Sequence, residues 1–149
     1  MPDAGARPTW TAYRGEPYMS QAAATVRRII NGASLVKELV PVGFEVVCLD
    51  GIPFTDQVRL FSGADIIVGP HGGGLTNMTF AQPSATVIEV FPPSYIESCF
   101  WALANACGHH YRFAIGMRRG QDIAVDIGRI FSLLDAMRED SYFHTDFSK

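Results

Sequence analysis

The stretch "ADIIVGPHGGGLTN", residues 64–77, joins a run of mostly apolar residues to a histidine and three consecutive glycines. Its apolar part is continuous rather than alternating, which is typical of a strand buried on both faces of a parallel sheet. Glycines after such a strand let backbone N–H groups approach an anion, and a helix starting just beyond adds unpaired donors. The stretch therefore predicts a buried strand ending in a phosphate-binding loop, although the glycines also fit a plain strand-to-helix turn.

Segments with strand and helix patterns alternate along the rest of the chain. Thr55 is an expected N-cap, Ser94 and Glu97 form an expected capping box, and Gly63 and Gly108 are expected helix stops. The expected strands are 43–50, 64–69, 85–91 and 111–116, and the expected helices are 21–30, 33–40, 56–63, 94–107 and 127–137. This alternation predicts an α/β fold, a Rossmann-like three-layer α/β/α arrangement with a mostly parallel sheet.

The length of 149 residues and a hydrophobic content of 48% suit one compact domain. We expect residues 1–20 to be an irregular lead-in that ends in a short strand at 17–20. Residues 21–140 would form the domain, and residues 141–149 a polar tail.

Composition excludes several classes of partner. The net charge of −3 leaves no cationic surface for nucleic acid. No apolar run approaches the ~20 residues of a membrane span, so we expect a soluble, cytoplasmic chain. Cys48, Cys99 and Cys107 are odd in number and lack metal-ligand spacing, so we interpret them as reduced core residues.

In open parallel sheets, ligands bind outside the carboxyl ends of the strands, where residues 69–77 and the end of the 85–91 strand would meet. His71 lies beside the glycines and is a candidate for contacting a ligand or relaying a proton. Glu89 lies inside an apolar run, so its carboxylate needs a partner: ribose hydroxyls of a nucleotide, a nearby Arg or backbone amides.

Other polar residues are weaker candidates. At most one of the adjacent Arg27 and Arg28 would face a diphosphate, and we take Arg28 as the candidate. Gln57, Thr76 and Asn77 could fix a ligand or could equally cap helices. His109 and His110 lack a third ligand, so they favour a strand start over a metal site, and no Asp cluster demands a divalent ion.

Three familiar site types are absent from the sequence. Neither the G-x-G-x-x-G dinucleotide fingerprint nor the Walker pattern with its Lys is present. "HGGG" also occurs in esterases, but the required G-x-S-x-G nucleophile elbow is missing.

The stretch from Asn31 to Pro93, continued at residues 95–116, resembles glycosyltransferase family 61. Its most specific parts are the G-x-H-G-x-G-L-x-N core at 69–77, "QVRLF" before it and "VIEVFP" after it. The resemblance implies an inverting glycosyltransferase of the two-domain GT-B type, of which this chain is the carboxyl-terminal, donor-binding half.

The resemblance also implies roles for particular residues. His71 would be the catalytic candidate, and the donor, a nucleotide sugar that we expect to be a UDP-sugar, would contact the glycine loop and Glu89. In this interpretation the donor-binding residues would be Gly72, Gly73, Gly74, Leu75, Thr76, Asn77 and Glu89. Arg28 joins them as the candidate for facing a diphosphate and not through the resemblance. The acceptor would be a glycan or a protein.

The chain departs from the family in two charged positions. Gln21 stands where relatives tend to carry Arg, and Gly32 stands where they carry an acidic residue. The family's amino-terminal, acceptor-binding half is missing from these residues, which leaves self-association or a separate domain as expectations. A non-catalytic scaffold or interaction module is the alternative function.

Overall fold

The computed structural model describes residues 9–13, 29–47, 49, 51–120 and 122–144, with only the backbone described at 9–13 and 138–144. The strands are β1 (Thr9–Tyr13), β2 (Phe44–Val47), β3 (Ala64–Pro70), β4 (Thr86–Phe91), β5 (His110–Ile115), β6 (Met117–Arg119) and β7 (Asp122–Ala124). The α-helices are α1 (Gly32–Leu39), α2 (Phe54–Ser62), α3 (Cys99–Cys107) and α4 (Ile127–His144), and two 3-10 helices cover Val40–Val42 and Gly73–Phe80.

Five strands form one sheet in the order β2-β1-β3-β4-β5, and every pairing is parallel. The predicted α/β class and parallel sheet are therefore confirmed. β4 is buried along its whole length, as its mostly apolar sequence predicts, and the buried residues include Glu89. A two-stranded antiparallel ribbon, β6–β7, precedes α4.

Helices pack against both faces of the sheet. On one face, α1 and α4 contribute Leu35, Leu39, Ile130, Leu133 and Leu134 to a cluster with residues of β2 to β5. On the other face, α2, the 3-10 helix Gly73–Phe80 and α3 contribute Phe61, Leu75, Met78, Phe100 and Ala104. The sheet residues alternate between the clusters, since Ile88 and Val90 belong to the first and Val87 to the second.

The amino-terminal expectations need correction. β1 lies in the region expected to be irregular, and it pairs with both β2 and β3. Ile29 forms an isolated bridge with Ile123 and Ile30 lies in a turn, so the expected helix does not include these two residues. The expected strand at 17–20 and the rest of the helix at 21–28 lie outside the described residues.

The sequence located helix ends better than helix starts. Thr55 lies inside α2, which begins after Pro53, and α3 begins at Cys99 with Ser98 as its N-cap, so both expected caps are wrong. Gly63 and Gly108 do close their helices, and Gly108 adopts the left-handed conformation with φ 73°. The last helix runs to His144, so it includes the first four residues of the expected tail.

The structure shows where His109 and His110 lie, and it bears on the expectation about membrane spans. β5 begins at His110, as expected, and the buried His109 donates from Nε2 to the Met78 carbonyl at 2.8 Å. In the part of the chain that the structure describes, no helix is both long and apolar enough to cross a membrane.

Asn31 ties α1 to the segment that leads into α4. Its Nδ2 donates to the Val125 carbonyl at 2.7 Å, and its Oδ1 accepts from the Val125 N–H at 2.8 Å. One side chain thus satisfies both backbone groups of a buried residue 94 positions away.

We expect Asn31→Ala to lower the free energy of unfolding by about 1–3 kcal/mol, because it leaves the buried N–H and C=O of Val125 without their hydrogen-bond partner. Urea denaturation followed by circular dichroism measures the change. The control is Asn105→Ala, because the exposed Asn105 side-chain amide donates to the Trp101 carbonyl one turn away and bonds to no other described residue. An equal effect in the two variants would refute the role of the Asn31 bridge.

Candidate active site

The strand order places one sheet edge at a natural ligand position. From β1 the chain continues to β2 on one side, while β3 lies on the other side of β1. Ligands of open parallel sheets bind outside the carboxyl ends of the strands where the order reverses in this way. β3 ends at Pro70, so His71 and the three glycines lie at this edge.

The backbone of the glycine loop does not require glycine for its conformation. Gly72 is extended, with φ 164° and ψ 168°, and neither Gly73 nor Gly74 has a positive φ. A Cβ built on Gly73 would meet no heavy atom within 4 Å. Neither the backbone conformation nor a close contact therefore requires glycine at position 73. The open space there argues against the interpretation of the glycines as a plain strand-to-helix turn.

Unpaired donors lie at the same place. The first hydrogen bond of the 3-10 helix runs from the Leu75 N–H to the Gly72 carbonyl at 3.0 Å. The N–H groups of Gly73 and Gly74 precede it and have no acceptor within the helix. This arrangement can receive an anion.

His71 is fixed in orientation by a buried carboxylate. Its Nδ1 hydrogen-bonds to Oε1 of Glu89, and the Tyr111 hydroxyl donates to Oε2 of Glu89. The side chain of Glu89 is 0% exposed and that of His71 is 6% exposed. With Nδ1 held in this way, Nε2 is the ring nitrogen left for chemistry, and no described residue hydrogen-bonds to it.

Aromatic rings surround the imidazole. Phe91 stacks on it with centroids 5.2 Å apart, Tyr95 lies 5.2 Å away at a tilt, and Phe100 meets it edge-on at 5.4 Å. These rings restrict the imidazole and exclude water from its bond to Glu89.

Burial raises the pKa values of Glu89 and Tyr111, the two groups that form this hydrogen-bond network with His71. It raises the pKa of the Glu89 carboxyl, and the hydrogen bonds from Tyr111 and His71 oppose that rise. Burial, followed by the hydrogen bond to Glu89, raises the pKa of Tyr111, so the phenol keeps its proton and donates it.

The structure gives several expected site residues other surroundings. Both Glu89 oxygens have partners inside the protein, and these are His71 and Tyr111 rather than an Arg or backbone amides. Glu89 is therefore hydrogen-bonded within the protein through both oxygens, and it fixes the orientation of the His71 ring. Leu75 is 1% exposed and packs in the core, so its side chain has a packing role.

The remaining candidates divide by accessibility. The buried Asn77 donates to Gln57 Oε1 at 3.1 Å, and Gln57 in turn donates to the Ile52 carbonyl at 2.9 Å. Thr76 is exposed on the loop. Arg28, like Gln21, lies outside the described residues.

Sequence reasoning missed Tyr111 and Tyr95. Tyr111 pairs in register with Val87, two residues before Glu89 on the neighbouring strand, so it lies diagonally across the sheet on the Glu89 face. The period-2 pattern of β5 could have found it. Tyr95 lies in the segment mistaken for the start of a helix, which explains why its ring was not expected over His71.

The cysteine interpretation also changes. Cys99 is exposed at the start of α3 and Cys107 is half-buried, and both are free thiols. The expectation of a core residue is wrong for Cys99, and Cys48 lies outside the described residues.

Comparison with known proteins identifies the family of the chain. It belongs to glycosyltransferase family 61, whose model matches residues 14–88, half of the chain. The resemblance noted in the sequence is thereby confirmed.

Individual relatives match a similar segment. The chain is 38% identical over 90 residues to the bovine EGF domain-specific O-linked N-acetylglucosamine transferase, covering 57% of this chain and 17% of that protein. It is 39% identical over 83 residues to mouse protein O-linked-mannose beta-1,4-N-acetylglucosaminyltransferase 2, covering 52% and 14%. It is 36% identical over 56 residues to an Arabidopsis thaliana beta-1,2-xylosyltransferase, covering 38% and 10%. The chain thus matches less than a fifth of the length of each of these relatives.

We expect Tyr111→Phe to lower the free energy of unfolding by about 1–3 kcal/mol, because it leaves Oε2 of the buried Glu89 without a donor while keeping the ring. The matched control is Tyr95→Phe, which removes a hydroxyl bonded to the exposed Glu97 at 2.5 Å and should cost less than about 0.5 kcal/mol. Urea denaturation compares the two variants. A smaller loss in Tyr111→Phe than in Tyr95→Phe would contradict the proposed support of Glu89.

Proposed function

We propose that this chain is the donor-binding part of a glycosyltransferase that takes a nucleotide sugar, in the first instance a UDP-sugar. The observation that carries the proposal is the open space at Gly73, lying beside a histidine whose orientation is fixed by a buried carboxylate. The donor diphosphate would receive hydrogen bonds from the N–H groups of Gly73 and Gly74. In the GT-B arrangement, this sheet would be the donor-side half, and a further domain would supply the acceptor site.

His71 would act as the base of an inverting transfer. In that step the acceptor hydroxyl oxygen bonds to the anomeric carbon, the bond from that carbon to the diphosphate breaks, and the hydroxyl proton passes to His71 Nε2. Glu89, bonded to Nδ1, would stabilise the imidazolium that forms, as a buried carboxylate does in hydrolase triads. The aromatic rings would keep the imidazole aimed at the acceptor.

The names of the relatives suggest which sugars to test. Two of them are N-acetylglucosamine transferases and the third is a xylosyltransferase. UDP-N-acetylglucosamine and UDP-xylose are therefore the first donors, and a glycan or a protein hydroxyl is the acceptor.

The test of donor binding is calorimetric titration with UDP, UDP-N-acetylglucosamine, UDP-xylose and GDP, without added metal. We expect a UDP compound to bind and Gly73→Val to weaken that binding at least tenfold, because the new side chain enters the open space, where its Cβ meets no heavy atom within 4 Å. Ala106→Val is the control, since it enlarges an exposed residue near the end of α3 that leads to the opposite sheet edge. Absence of binding by all four nucleotides would overturn the proposal and favour the scaffold alternative.

The role of His71 is tested by the release of UDP from the donor that binds, with water as the acceptor. We expect His71→Gln to lower this rate by about 10²–10⁴-fold while leaving nucleotide affinity within about threefold of the wild-type value. Glu89→Gln should lower the rate without changing that affinity, because Glu89 touches His71 and not the donor. Loss of affinity with an unchanged rate at saturation would instead assign His71 to donor binding.

A further inference from the structure

Three different metal-ligating groups lie close together around His71. A ring nitrogen of His71, a carboxylate oxygen of Glu97 and Sγ of Cys99 lie within 4.8 Å of one another, the one such group in the part of the chain that the structure describes. Imidazole, carboxylate and thiolate together are ligands typical of zinc and cobalt, whereas magnesium and calcium prefer oxygen ligands alone.

The environment of His71 is that of a metal ligand as much as that of a base. Histidines that bind zinc usually donate their other ring N–H to a carboxylate, which fixes the ring and strengthens the ligand. Glu89 occupies this position at Nδ1. Nε2 therefore carries the lone pair, and it has no hydrogen-bond partner among the described residues.

The spacing requires only a small adjustment. Bonds of about 2.0–2.3 Å place the ligand atoms of a tetrahedral zinc ion about 3.3–3.8 Å apart. The present separations do not exceed 4.8 Å, so the cluster must contract by at most about 1–1.5 Å. Glu97 and Cys99 are exposed, and their side chains can make this adjustment by rotation. Tyr95 donates to Oε2 of Glu97, which leaves Oε1 for an ion.

We propose that His71, Glu97 and Cys99 form a zinc site with three protein ligands and an open fourth position. Neutral imidazole, carboxylate and thiolate give the complex no net charge, so the ion and its ligands compensate one another at the protein surface. Three protein ligands with an open position are the pattern of reactive rather than purely structural zinc sites.

This inference does not depend on the proposed transfer reaction, although both use Nε2. A zinc ion there would occupy the atom that the base needs, so metal binding and proton uptake by His71 would exclude each other. Added zinc would then suppress turnover of any donor.

The experiment is a titration of the reduced chain with Co²⁺ in the absence of nucleotide. We expect one equivalent to produce thiolate-to-cobalt charge-transfer absorption in the near ultraviolet together with the visible bands of a tetrahedral site. One equivalent of Zn²⁺ should remove both signals.

Variants of the chain distinguish Co²⁺ binding at this site from Co²⁺ binding at another cysteine. Cys99→Ser should abolish the charge-transfer absorption, while the matched variant Cys107→Ser should keep it. Glu97→Gln should weaken Co²⁺ binding at least tenfold, and Glu89→Gln should weaken it about 10–100-fold by releasing the imidazole. Circular dichroism checks that each variant is folded, and Cys99→Ser changes an exposed residue, so it keeps the test decisive.

Two results would overturn the proposal. One is Co²⁺ binding without thiolate absorption, and the other is absorption that survives Cys99→Ser. Because the nucleotide titration is done without metal and this titration without nucleotide, failure of the metal site and failure of donor binding are separate outcomes.

Discussion

The burial of one carboxylate governs the arrangement of the site. Glu89 lies in the middle of a fully buried strand, where an ionised group needs hydrogen-bond donors to offset the loss of water. His71 and Tyr111 provide those donors from the two strands or strand ends beside it. The requirement therefore connects three neighbouring strands and fixes the imidazole at the sheet edge where the order reverses.

The glycine loop and the histidine depend on different physical constraints. In the loop, no side chain fills the space at Gly73, and the first N–H groups of the 3-10 helix have no acceptor within that helix. The loop therefore offers both space and hydrogen-bond donors. The His71 imidazole, in contrast, is held in one orientation by contacts with the rings of Phe91, Tyr95 and Phe100. Because the loop and the histidine are adjacent, the unpaired N–H groups lie next to an imidazole of fixed orientation. A ring nitrogen of that imidazole also lies within 4.8 Å of ligand atoms of Glu97 and Cys99.

Some of these residues stabilise the fold alone, whereas Tyr111 stabilises the fold and also supports the candidate site. A single side chain, Asn31, joins α1 to the segment before α4, but it lies outside the His71 network and serves the fold. Tyr111 contributes to both, since it donates to a buried carboxylate oxygen of Glu89 and thereby supports the histidine. Leu75 and Asn77 belong to the sequence motif, yet one packs in the core and the other bonds to Gln57.

The sequence by itself determined the α/β class, the buried strands β3 and β4, the helix stops at Gly63 and Gly108, the last helix and the family. These are local patterns, because apolar runs, glycine and helical spacing express themselves within one element. Only the tertiary structure decided that β1 arises from the supposed lead-in and that Tyr95 covers His71. It also showed that Glu89 bonds to residues 18 and 22 positions away, a pairing that depends on strand order and register. No local pattern specifies which strands become neighbours, so these contacts could not be obtained from the sequence alone.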